Sequence, residues 1–84
     1  MRGRPNWWDW EFELSPHVER RMVDRNFTEV DLRGMLERAD RIVAGVVEGR
    51  HVVSALHRGK VWEIVLEPDD DSRVVVIVTA YAKD

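Results

Sequence analysis

The pattern of apolar and polar residues changes its period twice along this chain. From Trp8 to Leu14 apolar and acidic residues alternate strictly, and a period of two predicts a half-buried strand. From Pro16 onward apolar residues recur at helical spacing, and after Asp40 the pattern returns to short apolar runs separated by turns. The chain therefore predicts one strand, then two helices, then a group of strands.

The first helix is predicted over residues 16–25. Ser15 is a favourable N-cap residue, and Pro16 follows it at the first helical position, where its missing N–H costs nothing. Asn26 tolerates the left-handed backbone conformation that often ends a helix. The end of this helix is therefore expected near Asn26.

A second helix is predicted over residues 29–39. Thr28 is a plausible N-cap, and Asp31 follows it at the spacing of a capping box, in a weak form because the usual residue is Glu or Gln. The apolar residues of this segment recur at the spacing of one helix face and form the expected core stripe: Leu32, Met35, Leu36 and Ala39.

Four strands are predicted after the helices. Connections of two to five residues make neighbouring strands antiparallel, and the apolar run 74–78 is typical of a central strand covered on both faces. The predicted fold class is α+β, with an N-terminal strand and two helices packed on one face of an antiparallel, four- to five-stranded meander sheet. We expect one domain over residues 1–84, with residues 1–6 as a flexible leader. The four strand ranges are 42–47, 50–57, 60–67 and 73–81.

One face of this sheet has no obvious cover. The two helices can cover only one face, and the other face carries Val61 and Val65. An exposed apolar face on a small domain is a plausible interface. We therefore expect this face and the tryptophan-rich segment to bury apolar surface against each other or against a second chain. The tryptophans concerned are Trp7, Trp8 and Trp10.

Composition excludes several classes of protein. The chain has no cysteine, which removes disulfides, thiolate metal sites and cysteine nucleophiles, and fits a cytoplasmic location. It has no apolar run long enough to span a membrane. The net charge of −3 argues against a general nucleic-acid coat but leaves room for a local basic patch.

No cofactor or metal site is predicted. The chain has no glycine-rich phosphate loop and no nucleophile elbow. His51 and His57 share one face of a predicted strand, but at about 3.3 Å per residue they lie roughly 20 Å apart, too far to bind one metal ion.

A basic stripe on the first helix is the main candidate for chemistry. His17, Arg21 and Arg25 are spaced four residues apart and share one helix face. A histidine beside guanidinium groups can bind a phosphodiester and transfer protons on it. The same residues can equally form a solvated basic edge, with the arginines paired to Asp24 or Glu29.

The helix motif resembles that of a known group of proteins. The run S-P-H-V-E-R-R-M-V-D-R-N-F-T, followed by strands that close on V-V-V-I-V-T-A-Y, resembles an uncharacterised bacterial family of the RelE/ParE/BrnT-like toxin superfamily. That family carries an H-A-x-x-R-M-x-x-R-G-I pattern, and Asn26 stands here where glycine is usual. The resemblance runs from about Glu13 to Tyr81 and implies a RelE-like fold. The site residues it implies are His17, Arg21, Arg25, Thr79 and Tyr81.

Two functions follow as expectations. The resemblance implies a small metal-independent ribonuclease that acts on RNA and belongs to a toxin–antitoxin module, with a cognate antitoxin as its partner. The net negative charge differs from the basic, ribosome-dependent toxins and argues against cleavage of ribosome-bound mRNA. The alternative is a non-catalytic protein-binding module of the same fold that uses its open sheet face. An enzyme needs His17, Arg21 and Arg25 to converge in a cleft, whereas a binding module does not.

Overall fold

A computed structural model describes residues 5–83 and shows an α+β fold with one sheet of five strands. Both predicted helices and the four strands that follow them are present, and most of their ends lie within two residues of the predicted positions. In chain order the elements are a 3-10 helix (Asn6–Asp9), β1 (Glu11–Leu14), α1 (Pro16–Asp24), α2 (Glu29–Glu37), β2 (Arg41–Ala44), β3 (His51–His57), β4 (Lys60–Asp69) and β5 (Val74–Ala82).

The strand order is β1-β5-β4-β3-β2, so β5 is a central strand, as its apolar composition predicted. Strands β2 to β5 form the expected antiparallel meander. Strand β1 instead pairs parallel to β5, with Glu11 opposite Val74, so the sheet is mixed rather than wholly antiparallel. Short hairpin turns impose antiparallel pairing, and no such turn joins β1 to β5.

The predicted strand over residues 8–14 is wrong in its first part. Trp8 and Asp9 belong to the 3-10 helix, in which the Trp8 N–H donates to the carbonyl of Pro5 and the Trp10 N–H donates to that of Trp7. This turn places Trp7 in the core. The alternating pattern does not reveal this burial. Residues 1–4 of the predicted leader lie outside the described residues, and Asn6 already belongs to the 3-10 helix.

The cap of α1 also ties the helix to the sheet. The Ser15 hydroxyl accepts a hydrogen bond from the Val18 N–H at 3.1 Å and donates one to the carbonyl of Val78 on β5 at 2.8 Å. Asn26 has a φ of 55°, the left-handed conformation predicted for the end of this helix. The start of α1 is therefore fixed beside the central strand.

The capping box predicted for α2 is present. The Asp31 N–H donates to the Thr28 hydroxyl, and the Thr28 N–H donates to the Asp31 carboxylate at 2.9 Å. This bond from the Thr28 backbone is the main reason that the pKa of Asp31 lies below its usual value. Both helices thus begin where their cap residues predicted.

The core lies between the helices and one face of the sheet. Helix α1 packs over β5, and α2 packs over β3. At about 25 cal/mol per Å² of apolar surface, this burial is the main source of stability. The largest fully buried side chains are Val18, Leu32, Met35, Val53, Ile64, Leu66, Val75 and Ile77.

The opposite face of the sheet stays open. Val43, Leu56 and Val61 are between 42 and 56% exposed, and no element within residues 5–83 packs over them. The expectation that the tryptophan segment covers Val61 and Val65 is wrong: the Trp7 ring lies 5.0 Å from that of His51, and Trp7 belongs to the core on the helix side.

Trp8 and Trp10 are partly buried against the same core. Period two places Val65 opposite the buried face of β4, so the segment Trp7–Trp10 extends the helix layer instead of covering the valines. Burial of the open face by a second chain stays a prediction. No helix within residues 5–83 is long and apolar enough to cross a membrane.

Candidate functional site

A cleft of about 370 Å³ opens where the end of α1 meets the β3–β4 turn and the end of β5. Four of its side chains are cationic at neutral pH, and none of the described lining residues is a carboxylate. Because the whole chain carries a net charge of −3, the cleft is opposite in sign to the protein. The lining residues are Arg21, Arg25, His57, Arg58, Lys60, Trp62, Tyr81 and Ala82.

Two local features bring these cations together. Arg21 and Arg25 are four residues apart near the end of α1 and therefore share one helix face. On the other side, the β3–β4 hairpin turns through Arg58 and Gly59 with φ of 53° and 76°, the positive values that a two-residue type I′ turn requires. This tight turn places His57 opposite Lys60 across the hairpin.

Arg58 has a structural role in the cleft. Its Nη1 donates to the carbonyl of Asn26 at 3.1 Å, and its Nη2 lies 3.6 Å from the Asp31 carboxylate. These contacts join the hairpin turn to the connection between the helices. Within residues 5–83, by contrast, the side chains of Arg21, Arg25 and Lys60 form no hydrogen bond or ion pair. These three charges are available to a ligand.

His57 and Trp62 lie together in the cleft, with ring centroids 5.8 Å apart in an edge-to-face arrangement. Nη2 of Arg38 lies 3.4 Å from Nδ1 of His57. Since a guanidinium group only donates hydrogen bonds, Nδ1 is the acceptor, and the ring hydrogen of a neutral His57 is on Nε2. Neither Nε2 of His57 nor Nε1 of Trp62 has a hydrogen-bond partner among the described residues, although both atoms are buried.

Tyr81 lines the cleft at the end of β5 and pairs with Glu63 of β4. Its hydroxyl donates to the Glu63 carboxylate at 2.7 Å, and Nζ of Lys83 lies 3.5 Å from the other oxygen of that carboxylate. The hydrogen bond to Glu63 raises the pKa of Tyr81, and partial burial and the carboxylate charge act in the same direction. The hydroxyl of Tyr81 is therefore protonated throughout the neutral range.

The titration of Tyr81 can be measured directly, because the chain has a single tyrosine. We expect its absorbance near 295 nm to change at a pH above its ordinary pKa of about 10, and Glu63→Gln to lower that pH. The raised pKa stabilises the fold below the pKa of the unfolded state, and this contribution is lost as pH rises through the folded pKa. A titration at the ordinary pKa in the wild type would contradict the contact.

A second cavity, of about 290 Å³, lies between the 3-10 helix and α2. Four of its nine described lining residues are aromatic, and the Arg33 guanidinium lies 5.1 Å from the centre of the Phe12 ring. Its lining includes the carboxylates of Asp9 and Glu37, so it lacks the uniform positive charge of the first cleft. No group of three or more potential metal ligands occurs within residues 5–83.

The chain matches a known protein family. Residues 14–82 match the family described as Domain of unknown function (DUF4258). The chain belongs to this family. The matched range contains both helices and every residue of the cationic cleft, whereas the segment Trp7–Trp10 precedes it. No curated protein and no solved structure matches this DUF4258 domain.

The structure brings together three of the five predicted site residues of this DUF4258 domain. Arg21, Arg25 and Tyr81 line the cleft. Tyr81 lies near the end of β5. Strand β1 pairs only with the earlier residues Val74–Ile77 of β5, so the end of β5 borders the space beside α1.

The other two predicted residues lie elsewhere. His17 is exposed in the first turn of α1 and does not line the cleft. Thr79 pairs with Val65 and does not line the cleft either, and its buried hydroxyl has no partner among the described residues.

Sequence reasoning missed His57, Arg58, Lys60 and Trp62. The sequence predicts only a connection between two strands at residues 58–59, and His57 enters the prediction only as a rejected metal ligand with His51. The missed signal is the density of basic residues at that turn. A two-residue turn keeps its flanking side chains close together, so a basic turn concentrates charge at one end of the sheet.

Proposed function

We propose that this DUF4258 domain binds single-stranded RNA in its cationic cleft and cleaves it as a metal-independent ribonuclease of the RelE/ParE/BrnT-like toxin superfamily. One observation carries this proposal: three cations that have no partner among the described residues line one cleft, none of whose described lining residues is a carboxylate, on a protein of net negative charge. They are Arg21, Arg25 and Lys60. On a solvated surface where positive and negative residues alternate, we would expect carboxylates among the residues that line a cleft.

The cleft suits a phosphodiester backbone. Arg21 and Arg25 are one helical turn apart, which places their Cβ atoms about 5–6 Å from each other. Each guanidinium group can bind two phosphate oxygens at once, and Lys60 adds a point charge from the opposite wall. Trp62 supplies an aromatic ring in the same cleft, although most of its surface is already buried.

The proposed reaction is attack of a ribose 2′-oxygen on the adjacent phosphorus. The new O–P bond forms as the bond to the 5′-oxygen breaks, leaving a cyclic 2′,3′-phosphate and a free 5′-hydroxyl. The 2′-proton passes to water, and the departing 5′-oxygen takes a proton from the cleft. Lys60 is the group there that can supply this proton, because the hydroxyl hydrogen of Tyr81 is already donated to Glu63. Arg21 and Arg25 stabilise the extra negative charge of the transition state.

The helix motif supports a toxin-like role. The resemblance falls on Arg21, Met22 and Arg25, and both arginines line the cleft. His17, which the same motif includes, lies outside it, so the proposal assigns no proton transfer to His17. A toxin of this kind would act on cytoplasmic RNA and would be restrained by an antitoxin.

A second candidate function rests on the open sheet face. Val43, Leu56 and Val61 are exposed there. Surface of this kind is typical of protein-binding sites. A non-catalytic module would bind a protein partner on this face. In a toxin the same face would be the place for an antitoxin, so RNA cleavage by the isolated protein separates the two functions.

Cleavage is expected to persist in EDTA, because the cleft offers cations in place of the carboxylate ligands that Mg²⁺ requires. The assay is a labelled RNA oligonucleotide incubated with purified protein, with the cyclic phosphate end identified by mass spectrometry. A DNA oligonucleotide of the same sequence should remain intact, because it lacks the attacking 2′-hydroxyl. Loss of activity in EDTA, or equal cleavage of DNA, would contradict the proposed chemistry. Absence of RNA cleavage under all conditions would favour the protein-binding module.

A further inference from the structure

Two residues that line the cationic cleft each carry a buried polar atom without a hydrogen-bond partner among the described residues. Nε1 of Trp62 and Nε2 of His57 are buried, and neither finds an acceptor among residues 5–83. Both residues line the cleft. A buried donor without an acceptor destabilises the fold, and such atoms are rare in folded proteins. Two of them at one cleft require an explanation.

Both atoms are donors, for different reasons. The indole nitrogen of Trp62 carries a hydrogen and cannot accept. In a neutral His57, the contact with Arg38 determines which ring nitrogen carries the hydrogen. Nη2 of Arg38 lies 3.4 Å from Nδ1 of His57, so Nδ1 accepts and Nε2 carries the hydrogen. Arg38 is itself fixed, because its Nε and Nη2 also donate to the carbonyl of Leu56. The position of the His57 hydrogen is thus a consequence of the fold.

We propose that His57 and Trp62 form a pair of hydrogen-bond donors for the oxygens of a phosphate group held by the cations of the cleft. The two rings meet edge to face with centroids 5.8 Å apart, and both residues line the same cleft. Since both nitrogen atoms are buried in the unliganded protein, binding of the phosphate must move the side chains that cover them. The surrounding charge selects an anionic acceptor, because Arg21, Arg25 and Lys60 line the same cleft.

This role differs from proton transfer. With Nδ1 engaged by Arg38 and Nε2 already protonated, a neutral His57 has no free lone pair with which to act as a base. It acts instead as a fixed donor, like an oxyanion-binding group. The inference deepens the proposed function by naming what the cleft contacts, and it rests on that function only for the statement that the phosphate belongs to RNA.

The decisive measurement follows the four indole N–H signals by ¹H–¹⁵N NMR while inorganic phosphate is added to the wild-type protein. The Trp62 signal, assigned from its loss in Trp62→Phe, should move downfield as its N–H gains an acceptor, and the other three should move little. The ring nitrogens of neutral His57 should show a hydrogen on Nε2 and none on Nδ1. If the Trp62 signal stays in place with both phosphate and RNA, the inference is overturned.

The second measurement is the affinity of each variant for an RNA oligonucleotide. Trp62→Phe keeps an aromatic ring and removes the donor, so the Kd should rise about 10- to 100-fold, as for loss of one hydrogen bond to a charged group. The slope of log Kd against log salt should not change, whereas Arg21→Ala should reduce it by about one. His57→Phe tests the other donor in the same way, and Trp10→Phe, outside the cleft, is the matched control.

The two measurements distinguish a failure of this inference from a failure of the proposed function. A Trp62 signal that responds to phosphate, in a protein that does not bind RNA, would support the donor pair and contradict the RNA ligand. RNA binding that is as tight in both donor variants as in the wild type would contradict the donor pair alone. A Kd change in Trp10→Phe as large as that in Trp62→Phe would show that the loss is not specific to the cleft, and would also contradict it.

Discussion

Replacing Arg21 and Arg25 together by alanine is expected to reduce the rate of RNA cleavage by about 10²–10³-fold or more, the usual cost of removing a group that stabilises transition-state charge. Both side chains line the cleft, and neither is paired with another described side chain. The fold should be unaffected, because neither arginine is part of the buried core. Single-turnover cleavage of a labelled RNA oligonucleotide is the appropriate measurement.

The control must remove the same charge elsewhere. Arg20→Ala/Arg41→Ala lowers the net charge equally, and both residues are exposed outside the cleft. This variant should cleave at close to the wild-type rate. His17→Ala should do so as well, because His17 lies on α1 but does not line the cleft. If the control pair loses as much activity as Arg21→Ala/Arg25→Ala, total charge rather than the cleft determines activity.

Trp7→Ala is expected to lower the free energy of unfolding by about 3 kcal/mol, at the lower end of the range for removing a large core aromatic ring. Trp7 is buried and packs beside the ring of His51. The result is informative because Trp7 precedes residues 14–82, the part that matches the DUF4258 family. Since small domains are stable by only about 5–15 kcal/mol, the loss should be clear in urea unfolding followed by circular dichroism.

The comparison for this substitution is Val30→Ala. Val30 is an apolar residue of α2 that is 77% exposed, so its truncation should change the free energy of unfolding by no more than about 0.5 kcal/mol. If Trp7→Ala lowers the free energy of unfolding by less than about 1 kcal/mol, the 3-10 helix contributes little to the stability of the domain. The tryptophan segment would then be free for a role at an interface.

The fold was predictable mainly where local chemistry decides it. Ser15 and Thr28 act as caps in the structure as they do in the sequence pattern, and Asn26 adopts the left-handed conformation expected of it. The double apolar face of β5 identified the central strand. The parallel pairing of β1 was not predictable, because no short turn joins β1 to its partner.

The candidate site was predictable only in part, for a related reason. Arg21 and Arg25 belong to one helix, so their shared face follows from spacing alone. The other wall of the cleft comes from a hairpin turn whose position depends on how the sheet packs against α1. The contact between Arg58 and the carbonyl of Asn26 spans 32 residues, and no local pattern contains it.

The pairing of β1 with β5 has a consequence for the newly made chain. The hydrogen bond between Ser15 and Val78 joins residues 63 positions apart, and β5 is the last strand of the sheet to leave the ribosome. Until it emerges, β1 and β4 have no strand between them, and the wall of the cleft that includes Tyr81 does not exist. Contacts between such distant residues also form slowly. The nascent polypeptide therefore cannot bind a ligand in this cleft before β5 has emerged from the ribosome.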